Sequence, residues 1–296
     1  MKILLTGATG FLGKIISDEL NKDHEIIKLS RTSADYNVLL DEETVEFKES
    51  FDMVIHSAGK AHFSPKTEIE NKSFHNVNVI GTKNLLKSLE RVGAPREFVF
   101  ISSVSVYGQD VGIEINEEFP LKACEPYGLS KIEAEKIVIK WCQEHKVVCT
   151  ILRLPLLVGK NPPGNLGAML KAIRKGYYFN IDGGKARKSM VLAKDVPSFI
   201  LLSCSAGGVY NLTDGVHPSF TELSYAISDK LFFSLPLKIA RCISRIGDSL
   251  GDKAPLNSNK LKKITSDLTF DDSKAREIIG WKPESVLEYL KREKLL

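Results

Sequence analysis

Three glycines, Gly7, Gly10 and Gly13, follow directly on a short apolar run, Lys2-Ile-Leu-Leu-Thr6, and open an amphipathic stretch that ends near Asn21. Strand, glycine turn, helix: few folds begin this way. The run reads as a fully buried strand. Gly7 permits the tight turn, Gly10 lets the backbone approach a pyrophosphate, and Gly13 allows the helix to pack closely on the strand. The pyrophosphate then sits on the partly positive helix N-terminus. A glycine triplet in this position is a dinucleotide-binding fingerprint, and it assigns Thr9, Phe11 and Leu12 to the same cofactor loop. The competing reading is three glycines serving a tight turn.

Further strands and helices alternate after it. Glu25–Leu29 reads as a second strand, followed by Ser30-Arg31. An acidic residue there would bond the 2′-hydroxyl of an NAD ribose. Arg31 instead suits a 2′-phosphate through paired, charge-assisted hydrogen bonds, helped by Ser30. This favours NADP(H), with NAD(H) as the alternative; a solvated surface arginine is the plainer reading. The stretch 52–57 reads as a buried strand that ends in Ala58-Gly59-Lys60, small enough at its start for a cofactor to lie against the backbone. Residues 66–92 read as one long helix, and 97–102 as a strand that delivers Ser102-Ser103 to its C-terminal edge, where open α/β sheets bind ligands. A helix over 127–145 and a strand over 147–154 follow. The pattern predicts an α/β chain: a Rossmann-type, doubly wound parallel sheet.

The rhythm breaks near Gly159. Residues 161–165 read as a loop, 166–176 as a helix, 182–189 as a Gly-rich basic loop, 208–212 as a strand, and 231–246 as an amphipathic helix covering a substrate pocket or lying on a membrane surface. The expected division is a dinucleotide domain over 1–158, rejoined by 189–214, and a smaller α/β substrate lobe over 159–296.

The sequence has 296 residues and a net charge of +4 with scattered lysines, which gives no reason to expect nucleic-acid binding. Five cysteines without CxxC spacing read as reduced thiols in a cytoplasmic protein, and six histidines form no metal motif. No apolar run is long enough to span a bilayer.

Tyr127 and Lys131 lie four residues apart, one helical turn from each other. An ammonium beside a phenol favours the phenolate and lowers a pKa that otherwise lies near 10. By itself the pair also fits a solvated helix face.

Together these landmarks resemble the extended short-chain dehydrogenase/reductase family, in its nucleotide-sugar epimerase/dehydratase branch. The matching stretches are TGATGFLG (6–13), NVIGT (78–82), ISSVSVYG (101–108), YGLSK (127–131), LRLPLLVG (152–159) and FDDSKAREIIGWKP (270–283). The resemblance implies catalytic roles for Ser103, Tyr127 and Lys131. Tyr127 is then the acid/base, and Lys131 its partner and a ribose ligand. It implies that Asn78 supports the site, that Pro155 lies along the cofactor, and that Asn165 with Arg187 or Lys188 contacts a nucleotide diphosphate. Sugar dehydratases of the family carry an Asp-Glu pair where this chain has Val104 and Ser105, which argues against dehydration. Residues 164–189 resemble reductases of UDP-4-keto-6-deoxy-N-acetylhexosamines, used in surface polysaccharide synthesis. The expected activity is NADP(H)-dependent reduction of the 4-keto group of a UDP-linked sugar. The alternatives are an NAD-dependent nucleotide-sugar 4-epimerase, a reductase of a non-sugar ketone, and a non-catalytic dinucleotide sensor. The family also implies a homodimer through helices 66–92 and 127–145.

Overall fold

The computed structural model describes residues 1–61, 67–251 and 254–293. The first half contains β1 (Lys2–Thr6), α1 (Phe11–Leu20), β2 (Glu25–Ser30), β3 (Tyr36–Asn37), β4 (Met53–His56), α2 (Glu68–His75), α3 (Gly81–Val92) and β5 (Glu97–Ser103). Next come β6 (Gly112–Ile115), α4 (Pro126–His145), β7 (Val148–Leu154), β8 (Leu156–Val158), α5 (Gly164–Arg174), β9 (Asn180–Ile181), β10 (Met190–Leu192) and α6 (Val196–Ser203). The chain continues with β11 (Gly208–Asn211), α7 (Phe220–Ser228), β12 (Ser234–Leu235), α8 (Leu237–Asp248), α9 (Ser258–Thr265), β13 (Leu268–Phe270) and α10 (Val286–Glu293).

Seven strands form one parallel sheet in the order β11-β7-β5-β4-β1-β2-β3. Its strands are apolar on both faces because both are covered. Ile3 and Leu5 pack with Leu12, Ile16 and Phe199 on the α1 and α6 side. Leu4 packs with Leu85, Phe98 and Val138 on the α3 and α4 side. From β1 the chain winds outward through β2 and β3, then returns to β4 and winds the other way. The crevice between β1 and β4 is therefore the switch point where such sheets hold ligands. Three parallel two-stranded ribbons, β8 with β10, β9 with β12 and β6 with β13, lie outside the main sheet.

Local chemistry sets the helix ends. Thr67 and Glu70 form a reciprocal capping box at α2, and Ser219 with Glu222 forms another at α7. Pro126 opens α4, where its missing N–H costs nothing.

Three expectations change. The helix over 66–92 begins at Glu68, and its middle is a wide π turn over Asn76–Ile80; position 66 lies outside the described residues. The loop over 161–165 ends earlier, because Gly164 and Asn165 already belong to α5. The helix over 231–246 starts only at Leu237: Ser234 and Leu235 pair with β9, and Pro236 stands at the N-cap.

A Cβ at Gly13 would lie 2.1 Å from the Gly7 carbonyl oxygen, a contact the backbone must move to relieve. Gly13→Ala is expected to cost about 2 kcal/mol in urea unfolding, within the range of overpacked cores.

Candidate active site

The C-terminal ends of β1, β4 and β5 and the start of α4 bring the candidate residues together. Ser103 closes β5; its hydroxyl accepts from the Ser105 amide at 3.2 Å and lies near enough to the Tyr127 phenol to favour its ionised form. Tyr127 lies in the first turn of α4 with its ring 6.0 Å from that of Phe74. One turn on, Lys131 is 5% exposed. Its ammonium donates to the Ile101 carbonyl at 2.8 Å and lies 4.7 Å from the centre of the Phe100 ring.

Burial dominates both titrating groups. It pushes the Tyr127 phenol above its ordinary pKa, and only the Ser103 hydrogen bond pulls the other way. Burial also brings Lys131 down to about 8, against an upward pull from Glu135. The expectation that Lys131 lowers the tyrosine is thus corrected: desolvation outweighs any ammonium–phenol attraction, and Tyr127 holds its proton in this state.

Asn78, in the π turn, joins this group to the loop after β4. Its amide oxygen accepts from the Lys60 N–H at 2.7 Å. Its amide nitrogen donates to the Lys60 carbonyl at 3.2 Å and to the Ser130 hydroxyl at 2.8 Å. Ser130 in turn donates to the Tyr127 carbonyl at 2.7 Å.

Behind that loop, His56 is buried between two threonines. Thr82 donates to the Asn78 carbonyl at 2.7 Å, so His56 Nε2–H donates to Thr82, at 2.9 Å. Nδ1 is then the acceptor, taking the Thr6 hydroxyl proton at 2.6 Å, while Thr6 Oγ1 accepts from the Ala58 N–H at 3.1 Å. A neutral ring completes the chain.

The sequence did not point to the deeper layer. Arg153 and Glu135, both nearly fully buried, pair at 2.8 Å. Ser102 donates to Glu135, and Arg153 also reaches the Tyr107 hydroxyl at 3.1 Å and the Glu117 carbonyl at 3.2 Å. Two signals were available. Arg153 interrupts a largely apolar strand and so needs a partner, and Glu135 follows Lys131 by one turn of α4. The Ser105 hydroxyl is buried without a partner among the described residues, which marks it as a candidate ligand contact.

The cofactor loop fits a dinucleotide. The α1 N-terminus has no side-chain cap and no acidic residue in its first turn, leaving its N–H groups for an anion. Gly7, Gly10 and Gly13 leave the backbone bare there. A Cβ at Gly59 would lie 3.1 Å from Asn78 Oδ1 and 3.2 Å from Lys131 Nζ, so glycine keeps that cradle open. Thr9 and Ser30 hydroxyls meet at 2.6 Å beside it. Arg31 is exposed, and Asp35, the acid of the following loop, is turned back onto the Lys28 N–H at 2.8 Å. Phe11 is partly exposed, Leu12 points into the core, and Pro155 is half-buried between β7 and β8.

The basic residues expected to contact a diphosphate have other partners here. Asn165 is exposed on the first turn of α5. The Arg187 guanidinium pairs with Glu222 at 3.3 Å and donates to the His217 carbonyl at 3.0 Å. The Lys188 ammonium donates to the Ser266 carbonyl at 2.9 Å, and burial lowers its pKa.

Burial holds His56 down to about 3, against an ordinary value of 6.5. The unfolded chain therefore binds the extra proton first. The stability His56 contributes is complete above pH 6.5 and is lost as pH falls toward 3. His56→Gln is expected to be less stable than wild type at neutral pH. The gap should narrow by about 2 kcal/mol when urea unfolding is repeated near pH ~4.5.

The model of the NAD dependent epimerase/dehydratase family matches residues 3–213. The UDP-glucose 4-epimerase of Vibrio cholerae is 28% identical over 97% of this chain and 92% of its own. The GDP-6-deoxy-D-mannose reductase of Pseudomonas aeruginosa is 25% identical over 97% of this chain and 93% of its own. Among solved structures, that of RMD from Pseudomonas aeruginosa complexed with NADPH superposes with a TM-score of 0.74 at 22% identity, covering 100% of this chain and 98% of that one.

Proposed function

The chain belongs to the NAD dependent epimerase/dehydratase family, and from that premise we propose that it reduces the 4-keto group of a UDP-linked sugar, with NADPH as the reductant. The observation that carries this reading is the placement of Tyr127 at the start of α4 beside the Ser103 hydroxyl at the end of β5, with desolvation raising the phenol pKa so that it holds a proton to donate.

Gly7, Thr9, Gly10 and Gly13 would hold the pyrophosphate, Ala58, Gly59 and Lys60 the middle of the dinucleotide, and Lys131 the ribose beside the nicotinamide. When bound, NADPH supplies the hydride. Tyr127 gives its proton to the oxygen of the ketone, and Ser103 hydrogen-bonds that oxygen as charge develops on it. Lys131, protonated below about pH 8, stabilises the phenolate left behind. Ser105 offers an unused hydroxyl to the sugar. Val104 and Ser105 supply no acid/base pair for eliminating water, which weighs against dehydration. Asn165 with Arg187 or Lys188 takes the diphosphate. Arg187 must leave Glu222 to do so, whereas Lys188 needs only to exchange a carbonyl partner. The sheet with β11 forms the dinucleotide domain, and most of 159–296 forms the substrate lobe.

The second reading is a nucleotide-sugar 4-epimerase, in keeping with the Vibrio relative. It requires a dinucleotide retained through turnover. Denaturing the purified protein and identifying what it releases separates the two. Freely exchanging NADPH supports the reductase, and stoichiometric, slowly released NAD supports the epimerase.

Two variants test the residue roles. Tyr127→Phe should lower kcat by about 10²–10⁴-fold while leaving dinucleotide affinity nearly unchanged. Arg31→Ala should weaken NADPH binding about tenfold or more and leave NADH binding unaltered, measured by fluorescence titration.

A further inference from the structure

Helix α8 is built inside out. The side that rests on the protein is made of small residues: Ala240, Ser244 and Gly247 are buried, against α9 and beside Ile181 and Leu261. Past Leu237, which packs against the same cluster, its large aliphatic residues stand in solvent. Ile239 is 50% exposed, Ile243 44%, Ile246 73%, and Leu250, just beyond the helix end, 63%. Their spacing of four, three and four residues places them on one stripe. A helix that used its isoleucines to fill the core would bury them. This one is anchored by small side chains and leaves its apolar stripe unused by the fold. Exposed apolar surface of this kind marks an interaction site. The ribbon leading into the helix adds to it: β12 pairs in parallel with β9, Asn180 opposite Ser234, and the preceding residues Phe179 and Phe233 are side by side and 46% and 70% exposed.

Charge decides what the stripe meets. Lys238, Arg241 and Arg245 are exposed on α8 and form no ion pair among the described residues. The helix's one acid, Asp248, is engaged with the Ser258 N–H at 2.8 Å and hydroxyl at 2.6 Å. Two copies meeting across this helix would bring basic side chains together with no free carboxylate on it to receive them. An anionic lipid surface accepts both parts: isoleucines enter the acyl boundary, while lysine and arginine stems run along it and reach the headgroup phosphates. No helix among the described residues is long and apolar enough to cross a membrane, so the contact is peripheral.

We propose that α8 seats this chain reversibly on a bilayer rich in anionic phospholipid. The stripe and its charges do not depend on the reaction assigned above. The test is co-sedimentation of the full chain with vesicles of phosphatidylcholine, with and without phosphatidylglycerol. Wild type should partition onto the anionic vesicles, and less so as salt rises. The double variant Ile243→Ser/Ile246→Ser should lose at least about tenfold in partitioning. Arg241→Gln/Arg245→Gln should abolish the preference for phosphatidylglycerol. Both double variants change exposed positions and should keep wild-type NADPH binding and urea midpoint. The proposal is overturned if wild type stays in the supernatant with both vesicles, or if the variants partition as wild type does. It is also overturned if wild type is a dimer in solution that Ile246→Asp turns into monomers, because a second copy then covers the stripe.

Discussion

The carboxamide of Asn78 joins three stretches of chain that are far apart in sequence: the loop after β4, the π turn between α2 and α3, and the first turn of α4. Both polar atoms of the amide are satisfied by Lys60 and Ser130. Removing it would leave the part-buried Lys60 N–H without its acceptor and the Ser130 hydroxyl without its donor, and an orphaned polar group costs more than its bond contributes when made. The chain of donors continues behind it through Thr82, His56 and Thr6 to the Ala58 N–H. The tip of β1, the tip of β4 and the helix carrying Tyr127 are thereby fixed relative to one another. The wide turn over Asn76–Ile80 lies at that junction. Such turns recur at functional positions in helices.

Beneath this layer lies a second constraint, the burial of charge. Lys131 has given up water for one carbonyl and the face of Phe100. Glu135 pulls its pKa up, but that carboxylate is shared with Arg153 and Ser102. The ammonium is therefore only partly compensated and titrates near 8, within reach of working pH. The unfolded chain binds this proton more tightly, so on Lys131's account alone stability rises with pH between about 8 and 10.5. Protonated Lys131 is thus held at some expense to the fold, and groups perturbed in this way cluster at functional sites.

Much of the sheet was legible because its strands are short apolar runs bounded by glycine or polar residues. Lys2–Thr6 reads the same from sequence and structure, and β2, β4, β5, β7 and β11 differ only at their ends. The ribbons were not legible. β9 and β12 have two residues each and exist only because distant segments meet. The same holds for the ion pair: Arg153 announces a need for a partner, but only folding chooses Glu135. Arg187 and Lys188 were located as basic residues in a Gly-rich loop, yet their present partners, Glu222 and Ser266, come from segments that the local pattern does not connect. The direction of the Tyr127 shift was misread for a similar reason. Spacing along a helix reports a neighbour, whereas desolvation depends on everything else that closes around the phenol.

One consequence of the topology concerns synthesis. The sheet ends on β11, whose residues follow β7 by more than fifty positions, after β8, α5, β9, β10 and α6 have been made. As the chain leaves the ribosome, β7 is a central strand without its outer neighbour, and its backbone edge at Thr150–Arg153 stays unpaired until Gly208–Asn211 emerges. The sheet that holds β1 thus closes only once residue 211 has been made. Its vulnerable interval, when an apolar parallel edge faces other nascent chains, is set by the length of the intervening segment.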